Sequence, residues 1–210
     1  LDLLNTVSAS VISCTDVTAL NMLTLNANPI LNASQTSNTL IWTFNSGSEH
    51  FNYLSQGDTK TLVYTIRVND GTDSVEKDVT ITILGTNDAP SITVETGDAT
   101  SATLSETNAT LSANDTITIN EVEPNDTVSA SVESVSVNAS STVSSLALPS
   151  TAVLKAMLGL NKSSLLTDNA LLNETLTWTF NSRSDHFDKI AFGEKLVLDY
   201  VIKVADSANP

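Results

Sequence analysis

Three acidic residues, Glu121, Glu123 and Asp126, lie within the short segment INEVEPNDT, just before a strand that is predicted to begin at Thr127. Because the carboxylates recur along one loop, several oxygens are expected near a single point. Calcium takes about six to eight oxygen ligands, so this pattern indicates a calcium site. Solvated acids in turns explain any single one of these residues nearly as well.

Further residues with side-chain oxygens are candidates for the same chemistry. Asn87 and Asp88 lie in LGTNDAP near the middle of the chain, where two similar parts of the sequence meet. Asp70 and Asp73 lie on a predicted hairpin loop, and Glu106 lies on a loop early in the second part. No stretch matches the calcium loop of an EF-hand, so a site built from these residues would have another geometry.

The two histidines, His50 and His186, each follow an Asn-Ser-x-Ser-acid segment. Serine, histidine and an acid suggest the nucleophile set of a hydrolase, but a catalytic triad needs side chains that converge from different elements. Neighbouring residues of one loop favour local hydrogen bonding instead. One histidine per copy and the single Cys14 cannot supply the ligands of a zinc site.

Aromatic residues alternate with leucine and isoleucine on predicted strands, so we expect them to form the core rather than a sugar-stacking face. These residues are Trp42, Phe44, Phe51 and Tyr64, with Trp178, Phe180, Phe187 and Tyr200. A carbohydrate-binding module remains an alternative, and it requires exposed, coplanar tryptophans.

The chain is acidic, with 24 Asp and Glu against 9 Lys and Arg among 210 residues and a formal net charge of −15. A charge of this sign disfavours binding to nucleic acid or to an anionic membrane. No apolar run is long enough for a transmembrane helix. The sequence therefore predicts no nucleic-acid partner and no membrane insertion in this segment.

The strongest pattern in the sequence is an internal repeat. TLIWTFNSGSEHF in the first part returns as TLTWTFNSRSDHF in the second, and the offset between Trp42 and Trp178 is 136 residues (178 − 42 = 136). Chains built from copies of one unit are usually arrays, which span distance or present surfaces. The repeat therefore favours a structural protein over an enzyme.

The repeat places a first unit at residues 1–89 and a second at residues 90–210. Because the matches stop short at both ends, the first unit is expected to lack its N-terminal strands and the second to lack its last strand. A longer tandem chain explains this arrangement. An alternative is that a neighbouring subunit donates the missing strand to an open sheet edge near residues 195–204.

Period-two alternation predicts strands, as in the series Leu62, Tyr64 and Ile66, and an Asn-Asp-Gly turn after this series predicts a hairpin. Helical spacing predicts a short helix within residues 149–160, capped by Ser150 or Thr151, and another near residues 17–23. Short strands with frequent turn signals predict an all-β fold of tandem Greek-key β-sandwiches, each with at most one short helix.

The sequence resembles the VCBS repeat of giant bacterial surface adhesins of the RTX type. The resemblance rests on W-T-F-N-S-x-S-x-x-F from Trp42, on TGDATSATLSETN at residues 96–108 and on G-T-N-D-A-P at residues 85–90. It implies an immunoglobulin- or cadherin-like sandwich in a secreted protein of a Gram-negative bacterium, with calcium near domain junctions. On this resemblance, calcium is expected at Asn87, Asp88, Glu106, Glu121, Glu123 and Asp126. In the first copy, Asp2 and Asn5 stand in place of Glu123 and Asp126.

Together these patterns predict a non-enzymatic, extracellular extension module of a bacterial cell-surface adhesin. Its partners would be neighbouring repeats of the same chain or identical neighbouring subunits. Its work would be mechanical, with the linker at residues 85–90 stiffened by Pro90 and by calcium. The alternatives are a filament subunit assembled by strand donation, a carbohydrate-binding module, and a hydrolase that uses His50 or His186.

Overall fold

The computed structural model describes residues 6–32, 34–143, 148–166, 172–185 and 187–207, which fold mostly as antiparallel β-sheet. This confirms the predicted all-β fold class. The chain divides into two compact units, Leu1–Thr86 and Asn87–Pro210, whereas the repeat pattern places the boundary after residue 89. Within the described residues, no helix has the length and apolar character needed to cross a membrane.

The first unit consists of a three-stranded and a two-stranded sheet. Its elements are β1 (Ser8–Cys14), a 3-10 helix (Val17–Met22), β2 (Leu23–Leu25), β3 (Trp42–Phe44), β4 (Thr59–Asn69) and β5 (Ser74–Leu84). The strands pair antiparallel in the orders β1-β4-β5 and β2-β3. The β4–β5 hairpin turns at the predicted loop, where Gly71 has a φ of 97°, a left-handed value that glycine adopts without strain.

Alternate residues of β4 form the core of the first unit. Leu62, Tyr64 and Ile66 are buried, as their spacing predicts, and they cluster with Leu23 of β2 and with Ala19. The Tyr64 hydroxyl donates a hydrogen bond to the Ala19 carbonyl at 2.8 Å, so the polar atom of this buried ring is satisfied. Because residues of both sheets share this core, the unit is a two-layer sandwich.

The second unit consists of a four-stranded and a three-stranded sheet. Its elements are β6 (Ser91–Thr93), β7 (Ser112–Asn120), β8 (Val128–Val137), α1 (Thr151–Lys155), β9 (Leu158–Leu160), β10 (Ser164–Leu165), β11 (Asn173–Asn181) and β12 (Leu198–Asp206). The strands pair antiparallel in the orders β6-β7-β11-β9 and β10-β8-β12. Ile117 and Trp178 of the first sheet share a buried cluster with Val128 and Ala130 of the second, so this unit is also a sandwich.

The two units share one internal layout. Leu23 of β2 pairs with Phe44 of β3, and the equivalent Leu158 of β9 pairs with Phe180 of β11 in the same register. The β1–β4 and β8–β12 pairs contain a register shift at equivalent positions. The repeat in the sequence is therefore a repeat in the structure, down to the pairing of individual residues.

The helix expected within residues 149–160 is shorter than predicted. Ser150 caps it, as expected, by accepting a hydrogen bond from the Val153 N–H, but α1 ends at Lys155. Leu158–Leu160 instead form β9, which pairs with β11. Sheet pairing thus overrides the helical spacing of the side chains. The helix expected near residues 17–23 is the 3-10 helix of the first unit.

The expectation that both tryptophans belong to the core is wrong for one of them. Trp178 is 7% exposed, but Trp42 is 44% exposed. β11, which carries Trp178, lies between β7 and β9, whereas β3, which carries Trp42, has only β2 beside it among the described strands. Within the described residues, no strand lies on the other side of β3, and the Trp42 ring is partly uncovered.

The second unit has an open edge at β12. Among the described strands β12 has β8 as its one neighbour, whereas the equivalent strand β4 lies between β1 and β5. This edge coincides with the one expected near residues 195–204. The donation of a strand to it by a neighbouring subunit stays a prediction.

Candidate metal centre

Four acidic residues of the second unit come together where its strands end. Glu121 directly follows β7, Glu123 and Asp126 lie on the loop between β7 and β8, and Asp206 is the last residue of β12. Asp206 pairs with Val128, the first residue of β8, so the end of β12 lies beside this loop. The sandwich therefore gathers acids from distant parts of the sequence at one place.

These acids are strongly shielded from solvent. Glu123 is 0% exposed, Glu121 and Asp206 are each 3% exposed, and Asp126 is half-buried. Buried carboxylates normally pair with a cation or coordinate a metal. The ion pairs formed among the described residues do not include Glu121, Glu123 or Asp126. Their negative charge is thus not balanced by a neighbouring lysine or arginine.

Asn87 and Asp88, the opening segment of the second unit, are hydrogen-bonded to this cluster. The backbone N–H of Asp88 donates to Glu123 Oε2 at 2.8 Å, and Asn87 Nδ2 donates to Asp206 Oδ2 at 3.1 Å. Glu121 Oε1 accepts hydrogen bonds from the backbone N–H groups of the two residues that follow it, at 2.7 and 3.2 Å. The Asn-Asp pair of the GTNDAP motif and the loop acids, both predicted as ligands, therefore lie together within a single unit.

Among the described residues of this cluster, four side chains each have one oxygen that is buried without a hydrogen-bond partner. These oxygens are Asn87 Oδ1, Glu121 Oε2, Glu123 Oε1 and Asp126 Oδ2. Buried polar atoms are normally paired, and leaving a charged one unpaired costs more than leaving a neutral one. All four atoms are oxygens that calcium or magnesium accepts as ligands. The donor set therefore fits a hard cation.

Burial also changes the acidity of these side chains. It raises the pKa values of Glu121, Glu123 and Asp126 above their ordinary values, because the charged form loses its hydration. Repulsion between the carboxylates adds to this effect, and Asp206 contributes to it at Glu121 and Asp126. Backbone hydrogen bonds to Glu121 and Glu123 act in the opposite direction but are smaller than the desolvation. The ionised forms of these carboxylates are therefore less favourable here than they are in water.

The side chains do not form a finished ligand shell. Across the described ranges, no group of three or more His, Cys, Asp or Glu residues is arranged so that it could hold a metal ion as it stands. Mutual repulsion keeps carboxylates apart when no cation lies between them. The chemistry of the oxygens fits calcium, whereas the described side chains, as they are placed, do not form a coordination shell.

The remaining predicted ligands lie outside this cluster. Glu106 is exposed and has neither a hydrogen bond nor an ion pair within the described residues. Asp70 and Asp73 belong to the hairpin of the first unit, where Asp70 Oδ1 accepts from the backbone N–H groups of Thr72 and Asp73 at 2.9 and 2.8 Å. These hydrogen bonds hold the pKa of Asp70 below its usual value, so its carboxylate stabilises the turn.

Sequence reasoning missed Asp206 as a member of the cluster. The available signal was the repeat itself, because Asp206 is the counterpart of the candidate Asp70 at the same offset (206 − 70 = 136). Asp70 is a candidate because of its loop, and Asp206 occupies the same position in the second copy, where no such loop follows in the sequence. The first-copy residues Asp2 and Asn5 lie outside the described residues.

The structure does not assemble a hydrolase site around His50. This side chain is exposed and has no hydrogen bond or ion pair within the described part of the chain, so the local hydrogen bond expected for it is not made. Glu49 stabilises the loop instead, since its Oε1 accepts from the Phe51 N–H at 2.7 Å. His186 lies outside the described residues.

Comparison with protein-family models gives no match for this sequence, and comparison with curated proteins gives none either. The resemblance to the VCBS repeat therefore rests on the motifs quoted above, and the function of the chain is argued from its own residues.

Proposed function

We propose that this chain is a non-enzymatic extension module of a secreted bacterial cell-surface adhesin, and that calcium stabilises its second unit at the acidic cluster. The single observation that carries the calcium proposal is the set of buried, unpartnered oxygens on Asn87, Glu121, Glu123 and Asp126. The extension role is supported by two sandwiches of one internal layout in tandem, since arrays of this kind span distance.

A cation at this cluster would join three separate parts of the second unit. Glu123 and Asp126 belong to the β7–β8 loop, Asp206 ends β12, and Asn87 belongs to the opening segment. Neutralising the carboxylates removes the repulsion that burial makes costly. Because Asn87 directly follows Thr86, the last residue of the first unit, a cation held by Asn87 would also restrain the connection between the units.

The test is a calcium titration of the stability of the second unit. In the Trp42→Phe variant, Trp178 is the remaining tryptophan, and it lies in the core of the second unit, so its fluorescence reports the unfolding of that unit. Extracellular calcium modules bind with dissociation constants of about 0.1–1 mM. At about 10 mM calcium the expected stabilisation is about 1.4–2.7 kcal/mol, because only the folded state binds the ion. A rise in Tm of about 6–11 °C relative to chelator follows.

Two further variants separate specific binding from a general salt effect. Glu121→Gln removes one of the buried carboxylates and is expected to reduce the calcium-dependent rise in Tm, whereas Glu106→Gln changes an exposed acid of the same unit and should leave the rise intact. Equal Tm values in chelator and in calcium would show that the cluster does not bind the ion. Magnesium at the same concentration distinguishes calcium from divalent cations in general.

The mechanical part of the proposal has its own measurement. Small-angle scattering of the intact chain in calcium and in chelator should give different profiles if ordering of the opening segment limits bending between units. Superimposable profiles, combined with a calcium-dependent Tm, would leave calcium as a stabiliser of the sandwich and remove its role as a stiffener of the linker.

A further inference from the structure

Arg183 of the second unit occupies a position at which the first unit has a glycine. It is the counterpart of Gly47 at the offset of the repeat (183 − 47 = 136), and both residues have left-handed φ values, 56° and 64°. The turns are built alike, since Asn45 Oδ1 accepts from the Gly47 N–H at 2.9 Å and Asn181 Oδ1 accepts from the Arg183 N–H at 2.7 Å. Glycine adopts such a φ freely, whereas other residues adopt it at a cost. The second unit therefore has an arginine where the backbone favours glycine.

The side chain of this arginine contacts the end of α1. Its Nε and Nη2 atoms both donate to the Ala156 carbonyl, at 3.2 and 2.8 Å. Ala156 is the C-cap of α1, where helix carbonyls have no partner within the helix. Gly47 has no side chain with which to make such a contact. The unfavourable backbone conformation of Arg183 thus accompanies a contact that the first unit lacks.

The helix that Arg183 contacts lies in a part of the second unit that is longer than its counterpart. Val7 corresponds to Val128 (128 − 7 = 121) and Met22 to Met157 (157 − 22 = 135), so the second copy has 14 more residues between these positions (135 − 121 = 14). The name helical segment is used below for residues 150–157, which run from the N-cap of α1 to Met157. Because α1 has 5 residues, it depends on contacts with the rest of the unit.

The helical segment packs on a small hydrophobic cluster. Leu154 and Met157 are buried there with Val135 and Phe187, and the Tyr200 hydroxyl donates to the Leu154 carbonyl at 2.8 Å. The other side chains of α1 are exposed. Segments with few buried side chains open locally at a lower free energy than the whole domain unfolds. Opening of the helical segment would uncover Val135 and Phe187 and leave the pairing of β7 with β11 intact.

We propose that Arg183 is a latch, which through its two hydrogen bonds to Ala156 holds the helical segment closed over Val135 and Phe187. When these bonds break, the helical segment opens while the sandwich stays folded. The acidic cluster has no part in the latch, because it lies where β8 begins and β12 ends, whereas α1 follows the end of β8. The latch is therefore independent of the proposed calcium site.

The test is amide hydrogen exchange of the intact chain, followed residue by residue by NMR, in the Arg183→Gly variant. This variant should fold, since glycine has the same backbone conformation in the first unit. The N–H groups of Leu154, Ala156 and Met157 are hydrogen-bonded within the helical segment. They should exchange about tenfold faster in the variant, because hydrogen bonds from a charged donor are lost.

Two controls separate the latch from other effects. The N–H groups of Ile117 and Leu176, which pair in the β7–β11 ladder, should exchange at rates within about twofold of the parent chain. Lys189→Gln removes one positive charge from an exposed residue between β11 and β12 and should leave exchange in the helical segment unchanged. Unchanged exchange in Arg183→Gly would overturn the proposal, as would equal acceleration in Lys189→Gln. Equal acceleration in the segment and in the ladder would also overturn it, because Arg183 would then stabilise the whole unit.

Discussion

Replacing Glu123 with glutamine is expected to stabilise the second unit in chelator and to weaken its response to calcium. Glu123 is the most deeply buried of the acids, at 0% exposure, and its Oε1 has no hydrogen-bond partner. The carbonyl oxygen of glutamine can still accept the hydrogen bond that Asp88 donates to Oε2. The substitution therefore removes the buried charge and preserves the hydrogen bond that holds Asp88 of the opening segment.

The expected gain in the stability of the second unit follows from the free-energy cost of burying a polar group without a hydrogen-bond partner. Removing that cost should stabilise the unit by about 1–3 kcal/mol. The amide N–H groups of the new glutamine can donate to neighbouring carboxylates such as Asp126. At about 4 °C per kcal/mol for a domain of this size, Tm in chelator should rise by about 4–12 °C. In calcium, loss of one charged ligand should reduce the calcium-dependent rise by more than half, so the substitution has opposite effects under the two conditions.

The assay is thermal unfolding followed by Trp178 fluorescence in the Trp42→Phe background, with Glu106→Gln as the control for loss of one surface charge. A fall in Tm of Glu123→Gln in chelator, with no change in the control, would refute the reasoning. It would mean that the ionised carboxylate is held by favourable interactions within the protein and that its burial needs no cation.

Three further outcomes are expected. Because the folded-state pKa values of Glu121, Glu123 and Asp126 are raised, their contribution to stability is present below the unfolded values and is lost as pH rises through the folded ones. In chelator, Tm of the second unit should therefore fall as pH rises above about 4, the ordinary pKa of a carboxyl group, and calcium should flatten this dependence. Gly85→Ala should destabilise the first unit by about 1–3 kcal/mol in urea unfolding, since its new Cβ would lie 2.2 Å from the Ser55 carbonyl oxygen, whereas Gly159→Ala, which has space, should be nearly neutral. Tyr64→Phe should cost the first unit about 0.5–1.5 kcal/mol in the same assay, through loss of the bond to the Ala19 carbonyl.

Local periodicity was sufficient to predict the fold class. Leu62, Tyr64 and Ile66 alternate in the sequence, and all three are buried on one face of β4. The same reasoning failed where a distant strand decides the outcome. Leu158–Leu160 are spaced like part of a helix but pair with β11, and Trp42 is spaced like a core residue but lies on a strand with one neighbour among the described strands. Pairing partners cannot be seen in a window of local sequence.

The candidate site shows the same division between local and long-range information. Glu121, Glu123 and Asp126 are close in sequence, so a search for clustered oxygens finds them. Asp206 lies far along the chain and joins them because β12 ends beside the start of β8. Its role could be anticipated only by combining the repeat offset with the strand pairing. Burial, which distinguishes this cluster from the exposed Glu106, is likewise a property of the folded sandwich.

The two units differ in ways that make each a control for the other. In the first unit, β5 pairs with the outer edge of β4, and Tyr64 of β4 is fully buried. The equivalent Tyr200 lies on β12, which has one neighbour among the described strands, and it is half-buried. In the first unit Asp70 is bound to its own turn, while the equivalent Asp206 lies among buried acids. Calcium should therefore act on the second unit. Because the units share one layout, a chelator that changes both equally would be acting on the common sandwich rather than on these differences.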